Sequence, residues 1–467
     1  MERPPISRRR FLGQSACAGL GMTGLLSAMG TLRLFNASLS AQTLPDDNKA
    51  LVCLFLFGGN DSNNMVVPRD ADGHAAYAAA RGILALERSS LLPINTPSSD
   101  GRQYGLHPRM ATLQNLYNQG KMAIIGNVGT LVAPLTKEAY LNGGAAVPPF
   151  LFSHADQQVQ WQTSVPDSLK KTGWGGRLAE LKHALNSGSN ISMNVSLAGN
   201  NFFQVGNETF YYQMGTGGSI GLHESGANYA PRTQQYDAFH SVRGMSYSHL
   251  FEAEYANVTN RALASGAVVN GALAGVPTYD DKFTRSVDEY GYPTSLGAQL
   301  KMILRMIMAR QSLSMKRQIF FCAITGFDTH DNQLGDHDKL LGHLSNAIAD
   351  FYQATADLGV ANDVTLFTAS DFNRTYSTNG RGSDHAWGGH QFVVGGKVRG
   401  GDIYGAMPIL QTAGPNDVGT RGSWLPSTSV DEYSATLAKW FGVTASEMPT
   451  VLPNIGRFAR PDLGFMM

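Results

Sequence analysis

The chain has 467 residues, 36 of them Lys or Arg and 36 Asp or Glu, so its formal net charge is zero and charged residues make up only 15%. That balance offers no basic field to hold nucleic acid or an anionic membrane surface, and it leaves small or neutral partners. The length suits one large α/β domain with insertions, or two domains, and 52 glycines call for many loops.

In chain order, Ser7-Arg8-Arg9-Arg10-Phe11-Leu12 places paired arginines ahead of an apolar run, the pattern of a twin-arginine export signal. The run to Leu34 is interrupted by Gly and Ser and carries Arg33, which argues against a permanent membrane span. Residues 1–41 are therefore expected to be a removable signal, with small residues at Ser38, Ser40 and Ala41 near the cut, although Leu39 leaves its position open. The body, 42–467, is expected to pass the twin-arginine translocase and to work in the periplasm or outside the cell. Of three cysteines, Cys17 lies in the signal. Cys53 and Cys322 lie in apolar segments and read as core thiols that an oxidising compartment could pair.

Leu51 to Phe57 is a continuous apolar run and reads as a strand buried on both faces, closed by Gly58-Gly59-Asn60-Asp61. A helix over His107 to Gln119 and a strand over Lys121 to Gly126 complete a strand, helix, strand unit. The alternation returns as a helix over Leu300 to Leu313, a strand over Arg317 to Ile324, a helix over His337 to Leu358 and a strand over Asp363 to Thr368. A short strand over Phe392 to Gly396 and a helix over Ser429 to Phe441, capped at Ser429, close the pattern. This predicts an α/β fold with a central, mostly parallel sheet flanked by helices. Between about 190 and 290 the sequence turns rich in Asn, Gly, Ser and Tyr, and an inserted cap region is expected there.

Open α/β sheets gather ligands at the C-terminal ends of their strands. Asp61, the Ser153-His154-Ala155-Asp156 segment, Asp328-Thr329-His330-Asp331 and Ser370-Asp371 all fall at such ends, and Asp384-His385 with His390 precedes a further strand. Each alone has a structural explanation as a cap or loop residue. Asp328, His330, Asp371 and His385 together predict a shared site for one or two divalent cations, zinc, calcium, magnesium or manganese, with Asp61, Asp384 and His390 as further ligands. His337 is a reserve ligand on a helix whose acidic neighbours suggest a solvated face. Ser153 is a candidate nucleophile at a helix N-terminus, equally suited to be only a cap. Arg374 either holds a substrate oxyanion or neutralises the nearby carboxylates. Gly217-Gly218-Ser219-Ile220-Gly221 matches an esterase pattern without the strand and helix that a nucleophile elbow needs. Trp161, Trp174 and Trp387 flank the polar clusters as pocket or packing residues.

Leu56-Phe57-Gly58-Gly59-Asn60-Asp61, Phe152-Ser153-His154, Gly173-Trp174-Gly175-Gly176-Arg177, Gly326-Phe327-Asp328-Thr329-His330, Ser370-Asp371-Phe372-Asn373-Arg374-Thr375, Asp384-His385-Ala386-Trp387-Gly388-Gly389 and Pro426 to Tyr433 together carry a resemblance. The chain resembles the domain of unknown function 1501 family, bacterial proteins exported by the twin-arginine route and grouped with the alkaline phosphatase-like superfamily. The resemblance implies an alkaline phosphatase-like fold and a two-metal site, with Asp328, His330 and His385 in one ligand set. Asp61, Ser153 and Asp371 match the other, but Phe372 stands where that set has a histidine, with His390 or His154 as replacements. The implied activity is metal-dependent hydrolysis of a phosphate or sulfate ester. A non-catalytic, metal-stabilised binding or cell-envelope assembly protein on the same scaffold is the alternative, which Phe372 supports.

Overall fold

The computed structural model describes residues 47–97, 100–168, 172–219 and 230–467, with the side chains of 230–233 left aside. The expected signal and its cleavage position, and Ile220 and Gly221, lie outside the described residues.

Thirteen strands form two sheets among the described residues. In chain order they are β1 (Lys49–Leu56), β2 (Val66–Pro68), β3 (Leu92–Ile94), β4 (Tyr104–Leu106), β5 (Met122–Gly129), β6 (Asn194–Ser196), β7 (Tyr212–Gly215), β8 (Gly218–Ser219), β9 (Arg317–Ile324), β10 (Val364–Ser370), β11 (Gly389–Gly395), β12 (Ile403–Tyr404) and β13 (Thr428–Ser429). The main sheet has ten strands in the order β12-β5-β11-β10-β1-β9-β6-β7-β8, with β13 also on β5, and β2-β4-β3 form a small second sheet. β1 is parallel to both β10 and β9, and within the main sheet only β11 and β8 run against their neighbours, whereas the small sheet is antiparallel. The mostly parallel sheet read from the sequence is the one observed.

Helices cover both faces: α1 (Ala71–Arg81), α2 (Ala111–Asn118), α3 (His154–Thr163), α4 (Trp174–Lys182), α5 (Ala230–Arg243), α6 (Leu250–Ala274), α7 (Ser295–Met308), α8 (Gln333–Asp357) and α9 (Val430–Phe441) are those used below. Alternation along β1 explains why both faces need covering. Val52, Leu54 and Leu56 enter one core with Leu300 and Ile303 of α7 and Leu344 and Ile348 of α8, whereas Leu51, Cys53 and Phe55 enter the other with Trp161, Trp174 and Leu437. Each such side chain contributes about 1.5–3 kcal/mol by leaving water, so an apolar run of this kind is stable only in the middle of a covered sheet.

The same alternation settles the cysteines. Cys53 lies in one core and Cys322 in the other, on opposite faces of adjacent strands, and both are free thiols. The pairing considered from the sequence is therefore excluded. Trp161, Trp174 and Trp387 are all buried as packing, with the Trp387 indole N–H donating to the Thr130 carbonyl.

Some boundaries move. α7 starts at Ser295 because Thr294 caps it through the Gly297 N–H, and α9 carries the full capping box between Ser429 and Glu432. The region read as an insertion from about 190 begins instead as sheet, since β6 pairs parallel with β9 and carries β7 and β8 outward. Helices α5 and α6 follow. Ser219 sits in the two-residue strand β8, paired antiparallel with β7, its N–H bound by Asn270 Oδ1.

Candidate metal centre

β1, β9 and β10 are adjacent and parallel, so their exits, 57–61, 325–330 and 371–374, emerge at one end of the sheet. β11 is antiparallel to β10, which brings His385, just before it, to the same end. Two glycines make the approach possible. A Cβ on Gly58 would lie 2.3 Å from the Asp328 backbone nitrogen, and one on Gly59 would lie 2.3 Å from the Phe372 ring. Both have positive φ, 114° and 79°.

Three imidazoles surround one carboxylate oxygen there. Asp328 Oδ1 lies 3.2 Å from His330 Nε2 and 3.5 Å from the Nε2 atoms of both His154 and His385. The Nε2 atoms of His330 and His385 are 2.9 Å apart. Ligand atoms of His154, Asp328 and His385 all fall within 4.8 Å of one another. Asp328 is half-exposed, so the cluster opens to solvent.

Each ring is held from behind. His154 Nδ1 donates to Asp371 Oδ2 at 2.7 Å, His385 Nδ1 to the Phe152 carbonyl at 2.8 Å, and His330 Nδ1 to Asp384 Oδ1 at 3.1 Å. A proton fixed on Nδ1 leaves the Nε2 lone pair free, which is the arrangement that outer oxygen partners impose on metal-binding histidines. Electrostatics follow from the same contacts. The hydrogen bond to Asp371 raises the His154 imidazole above its ordinary value, against burial. Burial lowers His385, with the Phe152 carbonyl opposing. Burial would raise the Asp328 carboxyl, but the Arg374 guanidinium beside it holds it below the usual range.

The remaining expected residues have other places. Asp371 is fully buried and spends Oδ2 on His154 and Gln158 and Oδ1 on the Gly58 N–H, so both of its oxygens are engaged and it orients the His154 ring. Asp384 does the same for His330, and although burial opposes it, Arg421, Asn379 and His330 hold its carboxyl down to about 2. Asp61, expected as a ligand, is fully buried against the Arg81 guanidinium and Gln333, with Asn63 N–H on its other oxygen. His390 accepts the Asn127 N–H on Nδ1 inside the sheet, so its lone pair is committed. Arg374 directs every guanidinium nitrogen to Asp328 or to the Gly58 and Ser383 carbonyls and is fully buried, so it neutralises the carboxylate and is not presented to a substrate oxyanion in solvent. Ser153 occupies the N-cap position of α3, but its hydroxyl donates to Asp156 Oδ2 at 2.6 Å instead of capping. Phe372 packs its ring on His154 and His385 at centroid distances of 4.8 and 4.5 Å, filling the space beside them with an apolar wall.

His337, a reserve ligand by sequence and expected on a solvated face, is buried in α8 and bound to Asn60 Oδ1. Burial pushes it down to about 3, and pushes His107 and His390 to about 4, from an ordinary 6.5. Unfolded, these three take up protons near pH 6.5, whereas folded they do not until pH 3–4, so their contribution to stability is complete above 6.5 and is lost as pH falls. Asp431 runs the other way: burial raises it from 3.8 to about 7, so its contribution is complete below 3.8 and is lost as pH rises toward 7. Three groups against one leave a net of two protons between pH 4.5 and 6, about 2–3 kcal/mol of stability lost per pH unit of acidification. Urea midpoints measured across that range are expected to fall with acid, and less steeply in His337→Gln. A flat profile would refute the buried neutral histidines.

The three ligand atoms of His154, Asp328 and His385 can reach one cation: ligands at about 2.0–2.1 Å in a tetrahedron stand about 3.3–3.4 Å apart, Asp328 Oδ1 lies 3.5 Å from each of the two Nε2 atoms, and all three lie within 4.8 Å of one another. His154 Nε2 is also sheltered from solvent and makes no hydrogen bond, a buried lone pair that a cation would satisfy.

A family model described as protein of unknown function DUF1501 matches residues 48–421, which span every strand of the sheet but β13 and every member of this cluster. The chain belongs to the DUF1501 family. No curated protein matches it significantly. Among solved structures, this DUF1501 chain is similar to the lipoteichoic acid synthase LtaP from Listeria monocytogenes, at 8% identity and a TM-score of 0.32 over 89% of this chain and 78% of that one. It is similar to an alkaline phosphatase superfamily protein from Vibrio parahaemolyticus, at 10% and 0.35 over 85% and 67%. A third is the PsFucS1 sulfatase from Pseudoalteromonas sp., at 10% and 0.34 over 89% and 71%. Among the described residues no helix is long and apolar enough to cross a membrane.

Proposed function

We propose that this chain is an exported hydrolase of phosphate or sulfate esters that uses one transition-metal ion held by His154, His385 and Asp328, with His330 in reach. The observation that carries the reading is the convergence of three Nε2 atoms on one carboxylate, each imidazole pinned through Nδ1. Three nitrogen donors favour zinc, then manganese, over the oxygen-seeking calcium and magnesium. When bound, such an ion supplies Lewis acidity toward an ester oxygen. The chain itself supplies orientation: Asp371 and Asp384 hold two rings, Arg374 holds Asp328, and Phe372 keeps water from the inner side. Asp61 is closed by Arg81, which supports one ion over two. Export by the twin-arginine translocase rests on the Ser7 to Leu12 motif and suits a protein that must fold around its ion first.

A second reading, a metal-stabilised binder of a small ester or a cell-envelope component, is favoured by the Ser153 hydroxyl being engaged with Asp156 and by the Phe372 wall. Protein isolated from the periplasmic fraction and assayed with aryl phosphates and aryl sulfates under zinc and manganese separates the two. Turnover abolished by His385→Ala supports hydrolysis, whereas metal retention with no turnover under either ion selects the binder. A product confined to the cytoplasm would defeat the export reading.

A further inference from the structure

The N-terminal half of α6 carries an apolar edge that stands exposed among the described residues. Phe251, Tyr255 and Val258 are 78%, 74% and 49% exposed, and Ala262 is also exposed. Their spacing of four, three and four residues is that of a coiled-coil seam, which keeps them on one stripe of the helix. Buried positions on this half lie on another face, at Ala256 toward the body. Glu254 and Arg261 flank one side of the stripe, one seam period apart, paired with each other at 2.8 Å and both more than half exposed.

We infer that this edge joins two copies of the chain, with their α6 helices antiparallel about a two-fold axis. Sequence complementarity decides the orientation. Antiparallel helices pack each seam residue against the opposite kind of seam position, which sets Phe251 over Ala262 and Tyr255 over Val258 of the second copy, large against small in every layer. The same arrangement faces the flanking positions with their own kind, so Glu254 of each copy meets Arg261 of the other, twice by symmetry. Parallel helices would stack Phe251 on Phe251 and Tyr255 on Tyr255. They would also set Glu254 against Thr259 and Arg261 against Gly266, with no charge matched. A lipid surface is the poorer partner, since Glu252 and Glu254 outnumber Arg261 on this half of the helix, where an interfacial helix carries an excess of Lys and Arg.

Sedimentation equilibrium of the full chain tests the pairing. The wild type is expected to dimerise, and Phe251→Glu or Tyr255→Glu to raise the dimer dissociation constant about tenfold or more with unchanged thermal unfolding, since both side chains are exposed. Glu254→Arg and Arg261→Glu each weaken self-association, while mixing these two variants restores it, because every flanking pair is then opposite in sign. A protein that stays monomeric at about 100 μM, far above a stable dimer's dissociation constant, overturns the inference. So does a dimer indifferent to Tyr255→Glu, a mixture no tighter than its parts, or a monomer that floats with phosphatidylcholine vesicles through this edge.

Discussion

Asp371→Asn is expected to loosen the metal about 10–100-fold while the protein stays folded and the wild type holds one zinc-class ion per chain. The argument lies in the direction of one hydrogen bond. Asp371 accepts from His154 Nδ1, which fixes the tautomer whose Nε2 faces Asp328. An amide in its place presents a donor and an acceptor, either of which can turn to the ring, and the ring is no longer held to one tautomer. Asp328→Ala with His385→Ala removes two ligand atoms and is expected to strip the ion altogether. Elemental analysis after dialysis against a graded chelator reads both outcomes. Metal content unchanged in the double variant would place the ion elsewhere or nowhere.

Arg81→Ala is expected to cost about 3–5 kcal/mol of folding stability, more than the loss of any exposed ion pair in the chain. Its guanidinium is fully buried, with Asp61 on one nitrogen, Asn64 on another and the Thr375 and Tyr376 carbonyls on the third. Truncation strands the Asp61 carboxylate without its cation and unties the segment that follows Arg374, which in turn holds Asp328. Because the harm comes from the unpaired partner, Arg81→Ala combined with Asp61→Ala should lose less than the two single costs added together. Urea unfolding of the four proteins measures this. If Arg81→Ala costs under about 1 kcal/mol, in the range of a surface pair, then Asp61 is not a structural counter-ion and its reading as a metal ligand returns.

The sheet was legible because β1 and β9 are buried on both faces and so carry unbroken apolar runs, Ala50 to Leu56 and Ile319 to Ile324, while β10 is short, buried and interrupted only by small polar residues. β6, β7 and β8 were not, since strands of three, four and two residues rich in Asn, Gly and Ser carry no period long enough to read. At the site, strand ends named Asp328, His330 and His385 together, and the structure places them side by side. Strand ends could not divide inner from outer roles, because a carboxylate that ligates and one that orients a histidine have the same composition and the same place. Asp371 and Asp384 were therefore read as ligands. His154 was only a reserve, though its position at the start of α3 carried the signal. Arg81 had no signal, since nothing local in an Ala-rich helix end marks the one arginine that closes over a residue from another loop.

β1 is the middle of the sheet and is synthesised well before both of its neighbours. Its two partners begin at residues 317 and 364, so some 260 residues must leave the ribosome before the first of them can join it. At about 5–20 residues per second that is a delay on the order of tens of seconds, during which the apolar run Ala50 to Leu56 lacks both of its neighbours in the sheet. Biogenesis of this protein thus depends on shielding a nascent strand for that interval, and slowing translation ahead of residue 317 is the manipulation to which its yield should be most sensitive.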